Sequence, residues 1–342
     1  MSIRSAVAAV AALVCALVLT GCAPSAPTED GGERRVFAEP EAGAYPVEID
    51  HAYGTTTVRA QPQRLVVIGW SGADIAIQLG TVPVAQGIAA GGEREYYPWV
   101  EDAIEELGAP LPAVDASLER GEVDLEYVLA QRPDLIVAIN SGITEAEYRR
   151  LTEIAPTIAF PGTAWATSVD EHIELMGVAL GRPAFAVSIR EGVEDRIAET
   201  AARHPELSGV SYVQGFVPTD DGQLVLFGTA DARSTVLAGL GLRQLDETVA
   251  LQHRAGDPSS FTIGLEELLP LKPDVFVTFA EHDVWREAVT AHAAFASWDP
   301  VAHERVALLE DRMVGLALST ATPLGIDWGI DAVAETVSAA LD

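Results

Sequence analysis

The chain has 342 residues, 49% hydrophobic and 21% charged, an ordinary globular usage whose length suits about two domains. Its 51 acidic residues against 21 lysines and arginines give a net charge of −30, which repels phosphate backbones and all but excludes nucleic acid as a partner. The single lysine, Lys272, precedes Pro273, so a Gly-Lys-Ser/Thr phosphate loop is ruled out and most Schiff-base chemistry with it.

At the N-terminus, Arg4 is followed by an apolar run over residues 6–19. That run is shorter than the roughly 20 residues that span a bilayer and fits the core of a secretory signal. It ends in Leu19-Thr20-Gly21-Cys22, which resembles a bacterial lipobox; the plainer alternative is an ordinary signal with an incidental cysteine. The lipobox reading predicts removal of residues 1–21 and a lipidated Cys22. Residues 22–44, rich in Pro, Gly, Glu and Ala, are expected to form a flexible tether. Cys15 falls in the removed segment, so the mature chain is expected to carry no disulfide. An acidic protein is not drawn to an anionic surface, so lipid would supply the membrane attachment.

Beyond the tether, β-branched runs at residues 64–69, 82–88, 134–140, 157–160, 210–217, 274–279 and 305–310 alternate with helical patterns. That alternation predicts an α/β chain with mainly parallel sheets. One segment occurs twice: Asp124-Leu125-Glu126 through Arg132-Pro133-Asp134 and a strand returns as Gly264-Leu265-Glu266 through Lys272-Pro273-Asp274 and a strand. A helix ending in Leu-Gly, at residues 72–80 and 232–241, precedes each copy. Two widely spaced copies predict two similar lobes, not a solenoid. Between them, Phe185, Ile189, Val193, Ile197 and Ala201 form an apolar stripe opened by Gly181-Arg182-Pro183 and closed by His204-Pro205. This predicts one connecting helix of about 30 Å. The expected organisation is an N-terminal lobe over 45–180, a connecting helix over 181–205 and a C-terminal lobe over 206–342.

Two α/β lobes, one helical connector and a lipoprotein signal together resemble the substrate-binding lipoproteins of bacterial iron-siderophore ABC importers, a group that also holds cobalamin and heme binders. The most specific segments are Pro62-Gln63-Arg64-Leu65-Val66-Val67, residues 125–137, Tyr148-Arg149-Arg150-Leu151-Thr152-Glu153-Ile154-Ala155-Pro156-Thr157, residues 177–182 and residues 265–277. The resemblance implies a non-enzymatic, monomeric receptor outside the cytoplasm that presents its cargo to a permease dimer driven by a cytoplasmic ATPase. It also implies that Glu126 and Glu266 dock on arginine pockets of that permease. The alternative is that each is a favourable acid in a helix's first turn, and the neighbouring Glu267 competes for the role in the second lobe.

The ligand is expected between the lobes, beyond the carboxyl ends of the strands. A bulky ferric chelate calls for aromatic walls and arginine donors. Candidates by loop position are Trp70, Ser71, Arg94, Tyr96, Tyr97 and Trp165 in the first lobe, with Arg233, Trp285, Arg286 and Arg312 in the second. Arg233 is the favoured anion-binding donor, because it opens a helix. Trp298 and Trp328 read as structural. No resident cofactor and no direct metal site is expected, since the histidines are scattered apart from Glu281-His282-Asp283. Heme, held by Tyr96, Tyr97 or His282, and cobalamin are the alternative cargoes. A different class, a secreted hydrolase, rests on Gly69-Trp70-Ser71-Gly72-Ala73. That segment is a near match to a nucleophile elbow, with Ser71 as nucleophile and His282 or His303 as base.

Overall fold

A computed structural model describes residues 37–90, 94–119 and 123–341. The expected signal segment 1–21, Cys22 and the first part of the tether lie outside the described residues. Residues 37–44, expected to be flexible, instead bind the first lobe. The Ala38 amide donates to Gly80 O at 2.9 Å and that of Glu41 to Gly181 O at 2.7 Å. Each of these bonds fixes backbone that a free tether would leave in water.

The first lobe opens with an antiparallel hairpin, β1 (Val47–His51) and β2 (Gly54–Val58). Ile49, His51, Thr56 and Val58 face inward by simple alternation. Next come β3 (Leu65–Val67), α1 (Gly72–Gln78), β4 (Ala85–Gln86), α2 (Pro98–Leu107), β5 (Ala113–Val114), α3 (Leu125–Ala130), β6 (Leu135–Val137), α4 (Glu145–Thr152), β7 (Thr157–Ile158) and α5 (Val169–Ala179). The five strands β3–β7 form one wholly parallel sheet in the order β5-β4-β3-β6-β7. Leu65, Val67, Leu135 and Val137 pack on Ile75, Ile173 and Met176, while Val66 and Ile136 pack on Leu118, Val128 and Leu151. Both faces are covered, which is why these strands read as unbroken apolar runs.

The connecting helix, α6 (Pro183–Arg203), has 21 residues and a length of about 31 Å at 1.5 Å per residue. Pro183 occupies its first turn, where its missing N–H costs nothing. The Glu41 carboxylate accepts the Ala184 and Phe185 amides at 3.1 and 3.0 Å, capping the helix from a distant part of the chain.

The second lobe contains β8 (Ser211–Gln214), β9 (Gln223–Phe227), α7 (Ala232–Gly239), β10 (Arg243–Gln244), α8 (Asp246–Ala255), β11 (Ser260–Gly264), α9 (Leu265–Leu268) and β12 (Val275–Phe279). It continues with α10 (His282–Ala291), α11 (Ala293–Ala296), α12 (Asp299–Ala302), β13 (Val306–Leu309), α13 (Arg312–Thr320) and α14 (Pro323–Ala339). Its main sheet is parallel, in the order β10-β8-β12-β13, and β9 pairs antiparallel with β11. Among the described residues no helix is long and apolar enough to cross a membrane.

The lobes meet away from the connecting helix as well. Ile77, Val82, Trp99, Val100 and Ile104 of the first lobe share a cluster with Met313, Leu316, Ala317 and Leu324 of the second. At its edge the buried Asp74 Oδ2 accepts Trp99 Nε1 and Thr322 Oγ1, each at 2.6 Å. Thr322 in turn caps α14, accepting the Gly325 amide at 3.3 Å.

Candidate ligand-binding site

In both lobes several candidate residues lie in loops where strands end and helices begin. After β3 the backbone turns through Gly69 at φ 95° and Ser71 at φ 69°. A Cβ at Gly69 would lie 2.2 Å from Asn140 O, so only glycine lets the loops after β3 and β6 touch. There the Trp70 amide donates to Asn140 O at 2.9 Å. The indole of Trp70 is partly exposed, while its N–H is buried and faces the Tyr97 hydroxyl. Tyr97 stacks on Trp99 at 4.6 Å, and burial pushes its phenol pKa up. Its hydroxyl accepts the Ala90 amide at 3.0 Å.

Trp165, after β7, is 46% exposed and sits at φ 61°. A Cβ on Gly142 would come within 2.1 Å of its indole nitrogen, so the ring packs directly against that glycine. Gly142→Ala is therefore expected to lift the Trp165 ring and increase quenching of protein fluorescence by acrylamide. Unchanged quenching would show that the ring is not seated there.

In the second lobe the dominant feature is aromatic. Phe216, just past β8 and 38% exposed, meets Phe227 at 5.2 Å and Phe279 at 4.9 Å, edge to face. Phe227 and Phe279 end β9 and β12. The Arg233 guanidinium lies 3.6 Å above the Phe227 ring centre. Two of its nitrogens donate to Asp231, Nε to Oδ1 at 2.7 Å and Nη2 to Oδ2 at 2.8 Å. Nη1 reaches Ser319 Oγ at 3.3 Å. Asp231 also caps α7 by accepting the Arg233 amide at 3.0 Å. The positive end of the helix and the guanidinium, expected to serve an anion together, thus already share an internal carboxylate.

Helix α13 joins the two halves. A Cβ on its Gly315 would lie 3.1 Å from Phe279 Cβ, and its Ser319 touches Arg233. Its Met313 and Leu316 pack with Tyr97 and Trp99. The carboxyl ends of both sheets thereby converge.

The remaining candidates divide. Tyr96 is buried, its hydroxyl donating to Pro112 O, which leaves it a structural contact. Arg94 is exposed and pairs with Glu101 at 2.5 Å. Trp285 is half-buried, edge-on to Phe295 at 5.6 Å, and so contributes to the second core. Arg286 is exposed beside Asp283 at 3.6 Å, and Arg312 is exposed at the start of α13. Trp298 is fully buried with Nε1 donating to Leu271 O. Trp328, read as structural, is 39% exposed and tilts against Trp99 at 5.4 Å.

Sequence reasoning missed the Phe216–Phe227–Phe279 cluster and Asp231. The only available signal was that each phenylalanine falls at or just past the end of an apolar run. The repeat carried a second unnoticed feature. Glu126 and Glu266 are exposed on α3 and α9, and three residues on, Leu129 (58%) and Leu269 (37%) are exposed too. Glu267 is engaged locally, accepting the Gly264 amide at 3.4 Å with Arg254 at 4.0 Å.

The hydrolase alternative finds no support. His282 bonds Glu310 at 3.0 Å and His303 bonds Asp299 O at 2.8 Å, so each imidazole is committed within the second lobe. Among the described residues no group of three or more His, Cys, Asp or Glu is placed to hold a metal ion.

Known proteins give a consistent picture. The chain is 27% identical over 232 residues to the Fe(3+) dicitrate-binding periplasmic protein of Escherichia coli, covering 67% of this chain and 70% of that one. It is 26% identical over 290 residues to an Fe(3+)-citrate-binding protein of Bacillus subtilis, 80% of each. The structure of Streptococcus pneumoniae PiaA in complex with ferrichrome superposes with a TM-score of 0.75 at 26% identity, covering 86% of this chain and 98% of that one. Residues 65–313 match the Periplasmic binding protein family, and the chain belongs to that family of substrate-binding, two-lobed α/β proteins.

Proposed function

We propose that this chain is the extracytoplasmic receptor of an ABC importer, that it captures a ferric siderophore between its lobes, and that it delivers the complex to a permease. The observation that carries this reading is the pair of aromatic walls, Trp70 and Trp165 on one side and Phe216, backed by Phe279 and the buried Phe227, on the other, at strand ends linked through α13. Such walls suit the apolar outer surface of a chelate whose iron is already fully ligated. The similar proteins bind ferric citrate or ferrichrome by name, which supports an iron chelate as cargo. Heme is less well suited, because the hydroxyls of Tyr96 and Tyr97 and the His282 imidazole already have protein partners. The chain works without chemistry of its own and as a monomer. Cys22 carries the lipid that holds it on the outer face of the membrane, and a helical connector limits closure to a small movement.

Glu126 with Leu129, and Glu266 with Leu269, form the two docking points. A carboxylate beside an exposed leucine is reproduced at the same spacing in both copies, which supports a two-subunit permease as partner. Titration of the mature chain, followed by tryptophan fluorescence, tests the reading. Saturable quenching by a ferric siderophore and none by its iron-free form is expected. Quenching by heme alone, with a new Soret band, would replace the cargo.

A further inference from the structure

Resting on the ferric-chelate reading, we infer that the Asp231–Arg233 pair makes the site selective for chelates without net negative charge, of the trihydroxamate class, over polyanionic ferric citrate. Arg233 and Asp231 are 15% and 11% exposed at their side chains. They form a planar two-bond pair, Nε to Oδ1 at 2.7 Å and Nη2 to Oδ2 at 2.8 Å. Solvent screens such a covered pair little, so its net charge towards a ligand is near zero. One face of the guanidinium is covered by the Phe227 ring. The outer edge keeps three N–H groups, two on Nη1 and one on Nη2, with Nη1 donating to Ser319 Oγ at 3.3 Å.

Two of the other candidate arginines are likewise paired with carboxylates. Arg94 pairs with Glu101 at 2.5 Å, and Arg286 lies 3.6 Å from Asp283. Arg312 is preceded in sequence by Glu310 and Asp311, and the whole chain carries −30. A polyanion at the outer edge of the guanidinium would meet a site whose Arg233 cation is already neutralised by Asp231, and would have to lose its own hydration with no net positive charge there to offset the cost. A ferric trihydroxamate is different. Three singly charged hydroxamates cancel the charge of Fe(III), leaving an uncharged core with methylene-rich edges. Phe216 and Trp165 can cover those edges, while Nη1 donates one hydrogen bond to a hydroxamate oxygen.

The test is calorimetric titration of the mature chain with two probes, a linear ferric trihydroxamate and ferric citrate, for the wild type and for Asp231→Asn. Asparagine caps a helix as well as aspartate does, so the variant keeps α7 but leaves Arg233 with an uncompensated charge. Asp231→Ser, another good cap, checks that the effect does not depend on the amide. The trihydroxamate is expected to bind the wild type at least about 100-fold more tightly than citrate, as one buried, unpaired charge against a paired one would give. Both variants are expected to narrow that ratio by about 10-fold or more, through a gain in citrate affinity. Equal or tighter binding of citrate by the wild type would overturn this inference and leave the ferric-chelate reading standing. So would a ratio unchanged in both variants. Binding of neither probe would overturn the ferric-chelate reading itself.

Discussion

Asp74→Ala is expected to destabilise the protein by about 4 kcal/mol, because it strands two buried donors at once. Trp99 Nε1 and Thr322 Oγ1 both give their hydrogen bonds to the same Asp74 oxygen, and neither has room to turn to water. The loss falls where the lobes touch, since Asp74 lies on α1 and Thr322 caps α14. Asp74→Asn separates charge from packing: its amide oxygen still accepts both bonds, so most of the stability should return.

The asparagine variant also tests a pH dependence. Burial pushes the Asp74 carboxyl up to about 7 from 3.8, with the bonds from Thr322, Trp99 and the Leu324 amide partly offsetting it. A folded-state pKa above the unfolded one means that the folded protein holds the proton more tightly. Its stabilising effect is full below pH 3.8 and is lost as the pH rises through 7. Complete loss is worth about 4 kcal/mol at 1.36 kcal/mol per unit, as an upper bound. His172 acts in the opposite sense. Burial lowers its pKa to about 3 from 6.5, so its contribution is full above 6.5 and fades as the pH falls towards 3. Denaturant unfolding of wild type and Asp74→Asn at several pH values between 4 and 8 cancels the histidine effect in the difference. The wild type is expected to lose stability relative to the variant as pH rises. Parallel curves would mean that Asp74 stays ionised throughout.

Replacing Glu126 and Glu266 together with Ala is expected to cut uptake of ferric siderophore by at least about 30-fold while leaving ligand affinity within about twofold. Two charge-assisted contacts of roughly 2–3 kcal/mol each set the scale. Both side chains are exposed, and neither makes a contact with the aromatic walls. Uptake of radiolabelled iron by cells carrying the cognate permease, set beside calorimetry on the purified variant, gives the two readings. Glu267→Ala should matter less, since that carboxylate serves the start of α9. A large loss of ligand affinity in the double variant would remove the docking assignment, and so would normal uptake.

The parallel frame was legible because buried strands read as uninterrupted β-branched runs. Arg64 to Gly69 narrows to β3 and residues 274–279 to β12, with the flanking positions becoming the loops of the candidate site. Pro183 and His204-Pro205 marked α6 to within a residue or two. Pairings between distant segments were not legible. β9 and β11 meet antiparallel across α7, β10 and α8, and nothing local to Gln223–Phe227 announces its partner. The β1–β2 hairpin did carry a local signal, the alternation of Val47, Ile49 and His51 ahead of Gly54, which was overlooked beside the tether. The site divides in the same way. Loop position pointed to Trp70, Tyr97, Trp165 and Arg233 as candidates, but whether a side chain faces solvent or core depends on contacts made by other segments. Tyr96 turns to Pro112, Trp285 turns to Phe295, and Asp231 takes the guanidinium expected for a ligand.

The central claim, that a ferric chelate lies between the two sets of strand ends, is tested most directly by locating the iron. Crystals of the mature chain grown with a ferric trihydroxamate should show a single anomalous iron peak flanked by Trp165 on one side and the Phe216–Phe227–Phe279 cluster on the other, near Arg233 Nη1. An iron peak elsewhere on the molecule, or bound directly by protein carboxylates or histidines without the chelate, would contradict it.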